Sequence, residues 1–327
     1  MKKKILVFSN GEKLGDGIIK LPFLYEIKNR LPNHHLVWVT NKEKTAFNNQ
    51  LKKLAFKYID QIIEKVDLSP FFWKKISHKY NFENEFYDYV FDTQKAIFRT
   101  IALKRLNYKS FISGAANGLL STKKIKNKRQ IERKYYLDDL IDLLDLISTK
   151  KINLPFKILT PLALEKKLIK FFEPNHKYFG IAPGAGEKNR IWPLENFIKI
   201  GRYFEKKNYK VVLYLGPNEK KIRNKLTTVF PNALIPEEKI TDYSNIETVI
   251  ASTKFIEFAL ANDSGAGHIL SLGFCRLYKL FGHHDAKKFT PYKENIFSID
   301  AKEFKSLDIK NIPVTKVINE IEKFNIN

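Results

Sequence analysis

Short runs of consecutive apolar residues alternate along the chain with stretches in which apolar positions recur every three or four residues. The first run occupies 5–9, the first helical stretch 17–30, and the next run 36–40. A short unbroken apolar run reads as a strand buried on both faces, and strands separated by helices predict a parallel sheet covered on both sides. Further strands are predicted at 60–66 and 89–92, and a long helix at 131–146, where leucine and isoleucine recur at helical spacing. The rhythm then restarts. Strands are predicted at 178–182, 210–215, 255–261 and 275–281, the last clear one. Helices are predicted at 194–207, 219–229, 246–252, from 268 to 272, and at about 314–324. Between the two halves, residues 154–175 carry Pro155, Pro161 and Pro174. The chain therefore divides into a domain at 1–160, a connecting segment at 161–175 and a domain at 176–327. Two such sheets in tandem place a cleft between the domains. No repeat of 20–50 residues is visible, which argues against a solenoid.

Composition narrows the class. At 327 residues with 44% hydrophobic content, the chain can fill more than one core. No apolar stretch approaches a membrane span, and the run after Lys2, Lys3 and Lys4 is too short for a signal peptide. The single cysteine, Cys275, leaves no intramolecular disulfide, which fits a reducing, cytoplasmic setting. The 58 Lys and Arg against 35 Asp and Glu give a formal charge of +23. Two readings of that charge stand: attraction to a polyanion, or a coding bias that also enriches Asn, Ile and Phe. A nucleic-acid-binding protein is a remote alternative, since the expected aromatic-and-basic motifs are missing. A nicotinamide-dependent oxidoreductase lacks its G-x-G-x-x-G after a strand.

Ligands of open α/β sheets bind at the carboxyl ends of strands, so the turns leaving strands carry the candidate chemistry. The first turn runs from Gly11 through Gly15 and Asp16 to Gly17. Its glycines and the helix start favour an anion, but Asp16 repels a pyrophosphate and suits a general base; capping the helix is its other reading. The second turn is Pro183, Gly184, Ala185, Gly186, Glu187, Lys188, Asn189, Arg190, Ile191, Trp192 and Pro193. Its glycines let backbone approach a ligand, and Lys188 or Arg190 can neutralise phosphate without a metal. The third turn is Asn262, Asp263, Ser264, Gly265, Ala266, Gly267 and His268, where small residues open a helix as an anion cradle and Asp263 can accept from sugar hydroxyls. His268 either packs inside the helix start or touches ligand. The fourth turn holds His283, His284 and Asp285. Their spacing matches no standard ligand set, and no metal is expected.

Taken together these residues resemble glycosyltransferase family 9, the lipopolysaccharide heptosyltransferases, along nearly the whole chain. The resemblance rests on Gly15-Asp16 before Leu21-Pro22, Phe91-Asp92-Thr93-Gln94, Pro183-Gly184-Ala185 and Trp192-Pro193-Leu194. It continues through Asn262-Asp263-Ser264-Gly265 with His268, and Phe281-Gly282 before Pro291-Tyr292. It implies the GT-B architecture: two Rossmann-like domains with parallel sheets facing across a cleft, the last helix crossing back to the first domain. Acceptor would bind mainly the N-terminal domain and nucleotide sugar mainly the C-terminal one.

The resemblance also implies an inverting, metal-independent transfer with no cofactor, in which a heptose passes from ADP-heptose to a lipopolysaccharide core acceptor. By that analogy Asp16 deprotonates the acceptor. The donor is held by Pro183, Gly184, Ala185, Gly186, Lys188, Arg190, Asp263, Ser264, Gly265 and His268. Gly15 and Gln94 would touch the acceptor, and the basic stretch with Lys123, Lys124 and Lys126 would dock an anionic glycolipid at the inner membrane surface; a solvated loop is the other reading of that stretch. Two departures stand out. Relatives commonly carry Lys where this chain has Arg190, and Phe-Gly-Pro-Thr where it has Phe281-Gly282-His283-His284. A protein that uses another nucleotide sugar, or binds one without catalysis, is the nearest alternative.

Overall fold

Ile5, Leu6, Val7 and Phe8 are completely buried because β1 (Lys3–Ser9) lies between two parallel partners, β2 (His34–Thr40) and β4 (Phe86–Asp92). In the register Ile5 faces Leu36 on one side and Tyr89 on the other. A strand paired on both edges and covered on both faces has no solvent side, which explains its unbroken apolar run. The computed structural model describes residues 3–69, 71, 81–123, 135–150 and 156–324. Contacts divide the chain into two units, Met1–Phe156 and Lys157–Asn327.

In the first unit the sheet order is β3-β2-β1-β4-β5, with β3 at Gln61–Ile63 and β5 at Asn107–Ser113. The helix Leu14–Arg30 turns Ile18, Ile19, Phe23, Leu24 and Ile27 inward and carries Lys28 and Arg30 at its dipole-negative end. The strand expected at 60–66 is shorter because Lys65 and Asp67 adopt positive φ, 58° and 45°, which ends extended chain. β5 escaped the apolar pattern: it is an edge strand, and the half nearest its start is open to solvent. The helix expected at 131–146 is described as Tyr136–Asp145; residues 131–134 lie outside the described residues.

The second unit repeats the plan with order β10-β9-β8-β6-β7, from β6 (Lys177–Ala182), β7 (Tyr209–Leu213), β8 (Phe258–Asn262), β9 (Arg276–Phe281) and β10 (Ile296–Asp300). All its pairings are parallel. β10 was not expected, since it is a five-residue edge strand with only Ile296 and Ile299 buried. The core gathers rings: Phe179 stacks on Phe258 at 5.1 Å, and Phe204 meets Phe258 edge-on at 4.9 Å. The helix Leu194–Glu205 supplies Phe197, Ile200, Gly201 and Phe204, spaced three and four apart as an amphipathic face requires.

Two segments belong to the second unit. The connecting segment 161–175 contains a helix, Leu162–Leu168, whose Leu164 and Leu168 are fully buried, so the segment contributes to the second unit. The terminal helix, Val314–Glu322, places Val317 and Ile321 in the core of the second unit beside Ile200 and Phe204. Cys275 is buried next to β9, and burial pushes its thiol up to about 12. Among the described residues, no helix is long and apolar enough to cross a membrane.

Candidate active site

Three turns of the second unit leave neighbouring strands, β6, β8 and β9, and converge at their carboxyl ends. Asn262, the last residue of β8, is fully buried and ties two of them together. Its Nδ2 donates to the Pro183 carbonyl at 2.6 Å and its Oδ1 accepts from the Trp192 N–H at 3.1 Å. One side chain thus holds both ends of the 183–192 turn. Trp192, fully buried, is fixed further by its Nε1–H donating to the Ile312 carbonyl at 3.0 Å. The adjacent helix Gly265–Leu270 starts with Ser264, whose hydroxyl accepts from the Gly267 N–H at 3.2 Å. Gly267 cannot be larger, since a Cβ there would meet the Asn262 carbonyl oxygen at 2.5 Å. Gly265 is half-buried at the helix start.

Asp263 is the centre of charge. Its carboxylate, almost fully buried, lies 2.7 Å from His284 Nδ1, 3.4 Å from Lys279 Nζ and 3.5 Å from His268 Nε2. Burial alone would raise its pKa; the opposing Lys279 and the two histidines outweigh it and hold the carboxyl below its usual range. Lys279, fully buried in the middle of β9, is pulled down by burial against the attraction of Asp263. It also donates to the Phe289 carbonyl at 3.2 Å. His268 is driven down to about 3, first by burial and then by Lys279, so its imidazole is neutral at ordinary pH. His268 is packed inside the helix start, with its ring toward Asp263.

On the 183–190 turn, Pro183 and Gly184 are buried, Ala185 is half-buried and Gly186 is open. The Glu219 carboxylate lies directly over Gly184, where a Cβ would sit 1.5 Å from its Oε1; it also accepts from the Gly216 N–H at 3.0 Å. Burial raises the Glu219 pKa. Arg190 and Lys188 part company here. Arg190 pairs with Glu187 at 2.7 Å, is largely covered, lies close enough to depress His268, and has a buried Nε with no hydrogen-bond partner among the described residues. Lys188 is exposed beside an open cavity of about 520 Å3 that it shares with His283, Asp308 and Lys310.

In the first unit Asp16 is not the helix cap. The helix begins at Leu14, Lys13 is the cap, and Gly15 and Asp16 occupy the first turn, where a carboxylate complements the dipole. Asp16 is exposed. One turn on, Lys20 is buried and forms a 2.8 Å ion pair with the equally buried Glu12, which also accepts from Trp38 Nε1 at 3.2 Å. Burial opposes both charges, but each partner more than restores the other: the Glu12 pKa is lowered and that of Lys20 raised. Asp16 adds to the field on Lys20. Gln94 lines a cavity of about 150 Å3 with Asp92, Lys95, Asn117, Tyr136 and Asp139. Asp92 shapes that turn by accepting from the Gln94 N–H at 2.9 Å and the Ser113 hydroxyl at 2.9 Å. Lys123 is exposed; Lys124 and Lys126 lie outside the described residues.

The profile of glycosyltransferase family 9 (heptosyltransferase) matches residues 78–313, well over half of the chain. The chain belongs to glycosyltransferase family 9. This family 9 protein is therefore a glycosyl-transfer enzyme. It is 21% identical over 295 residues to lipooligosaccharide heptosyltransferase 2 of Campylobacter jejuni, covering 86% of this chain and 82% of the relative. Its fold matches a family 9 glycosyltransferase of Veillonella parvula with a TM-score of 0.70 at 18% identity, over 98% of this chain and 97% of the other. It also matches the heptosyltransferase WaaC of E. coli, solved with ADP-2-deoxy-2-fluoro heptose, with a TM-score of 0.64 at 14% identity, over 98% and 99%. The architecture is GT-B, with two five-stranded parallel sheets. Sequence reasoning had not singled out Lys279, Glu219, Glu12 or Lys20. Each carries a charge within or beside a run that otherwise reads as strand or helix, and that conflict was the available signal.

The neutral state of His268 has a consequence for acid stability. Unfolded, this residue titrates near 6.5; folded, near 3. Below pH 6.5 the unfolded chain takes up a proton that the native one does not, so stability is lost as pH falls, at most roughly tenfold in the folding constant per pH unit. Urea midpoints measured from pH 7 to 4 should fall less steeply for His268→Gln than for the wild type. Equal slopes would mean that His268 does not titrate this way.

Proposed function

We propose that the family 9 protein transfers a heptose, with inversion and without a metal, from ADP-heptose to a sugar of the lipopolysaccharide core. The observation that carries this is the second-unit cluster: a glycine turn anchored by Asn262, the guanidinium of Arg190 with an unused buried N–H, and an ionised Asp263. A guanidinium beside free backbone suits a diphosphate, and a buried carboxylate suits sugar hydroxyls. Glu219 would repel phosphate, so it faces the hydroxyl-bearing nucleoside. The heptosyltransferase relatives, one of them solved with an ADP-linked heptose analogue, support the choice of donor. Asp16 is the base: it takes the acceptor proton as that oxygen attacks the anomeric carbon and the bond to ADP breaks. Its exposed carboxylate has no hydrogen-bond partner among the described residues, which leaves it open to an acceptor hydroxyl.

A positioned base contributes roughly 10² to 10⁴ in rate. Asp16→Asn should therefore lower ADP release from ADP-heptose plus core acceptor by about 10² or more, with donor affinity retained. The wild-type rate should survive EDTA. Near-normal turnover of the variant would remove Asp16 from the base role, and loss of activity in EDTA would reject metal independence.

Arg190 rather than Lys188 is assigned to the diphosphate because it is the covered cation near His268. Calorimetric titration with ADP should show Arg190→Ala weakened by roughly 10- to 100-fold and Lys188→Ala much less. The reverse order would move the role to Lys188.

The acceptor is a lipid-borne anion, and the formal charge of +23 draws the protein to a membrane surface that presents it. The protein should sediment with anionic vesicles at low salt and be released as salt rises. No sedimentation at low salt would sink the idea.

A further inference from the structure

The two histidines after β9 approach a carboxylate from a distant part of the chain. His283 and His284 follow Gly282, and Glu187 lies in the turn after β6; donor atoms from the three side chains fall within 4.8 Å of one another. We propose that Glu187, His283 and His284 form a binding site for one divalent transition-metal ion, zinc being the best match. The inference stands whether or not the chain transfers a sugar, and the ion is an addition to the transfer chemistry rather than a requirement of it.

Three observations support the site. The donor set, two imidazoles and one carboxylate, is that of zinc and its neighbours rather than of calcium or magnesium, which prefer a shell of oxygens. Ligand atoms of a tetrahedral zinc stand about 3.3 Å apart, so these side chains need close by no more than about 1.5 Å, within the reach of rotations on a surface. Secondly, His284 has a carboxylate behind one ring nitrogen. Its Nδ1 lies 2.7 Å from Asp263 Oδ2, and Asp263 is nearly fully buried. A carboxylate on one ring nitrogen fixes the tautomer and directs the other nitrogen outward, the usual support behind a metal-bound histidine. Thirdly, the position is accessible: His283 and Glu187 are exposed, and His283 lines the open cavity. Three protein ligands leave the remaining positions to water or to an oxygen of a bound anion.

Two neighbouring side chains of similar chemistry stand outside the set. Asp285 caps a short helix, accepting from the Lys287 N–H at 3.0 Å, and His268 faces inward to Asp263. Glu187 supplies the carboxylate instead. Its Oε1 also pairs with Arg190 at 2.7 Å, so an ion competes with that guanidinium for the carboxylate.

The test uses the tag-free full-length chain, freed of metal by chelator and titrated calorimetrically with ZnCl2 in a buffer containing magnesium. One zinc per chain should bind with micromolar affinity or better, undisturbed by the magnesium, and Co2+ in its place should give visible absorption bands. His283→Ala and Glu187→Gln should each weaken zinc by roughly 10-fold or more. Both positions are exposed, and unchanged circular dichroism would show that the variants fold. Absence of zinc binding to the wild type, or binding that survives both substitutions, would overturn the proposal.

Discussion

The second unit depends on a single buried amide. Asn262 ends the central strand β8 and spends its side chain on the 183–192 turn, donating to one end and accepting from the other. Buried amide groups must be paired, and breaking one contact leaves a stranded polar atom that costs about 1–3 kcal/mol. The turn therefore cannot drift from the strand without exposing Asn262 to that penalty. Asp263, the next residue, inherits this rigidity. Its charge sits where β8 ends, with Lys279 of the neighbouring strand β9 beside it, so the site's electrostatics are set by strand register as well as by side-chain choice.

Each unit manages buried charge differently. Glu12 and Lys20 in the first are a closed pair, both sealed and each stabilising the other's ionised form. Asp263 in the second faces one lysine and two histidines, one of which is held neutral. A sealed pair is a structural element with little left to offer a ligand. The Asp263 group is incomplete by comparison, since an Arg190 Nε without a partner among the described residues and an open glycine turn adjoin it. The donor chemistry proposed above falls on the second group, and the proposed base, Asp16, stands one helical turn before Lys20 of the sealed pair.

Much of this was legible from the chain. The central strands announced themselves as unbroken apolar runs, because being paired and covered on every side is what produces such runs. The turns at 183–193 and 262–268 were legible because glycines and small residues mark close backbone approach. The edge strands β5 and β10 were not, since a half-solvated strand needs no continuous apolar pattern. Nor could sequence bring Glu187 to His283 and His284, or Lys279 to Asp263: those meetings are fixed by the order β9-β8-β6 in the sheet, a long-range fact with no local trace. Asp16 lies inside the first turn of a helix expected to begin at 17, because that helix starts at Leu14 without the side-chain cap that ordinarily signals a beginning.

Cys275 adds a practical property to the molecule. It is the one cysteine of the chain, it is buried, and its thiol is held at about 12, so almost none of it is thiolate at neutral pH. Thiolate is the form that reacts with maleimides and spin labels. The natural chain thus behaves toward such reagents as if it had no cysteine. A pair of engineered surface thiols, one on each unit, would take up fluorophores with little background, and the separation of the two units could be followed through a catalytic cycle in an otherwise unaltered protein.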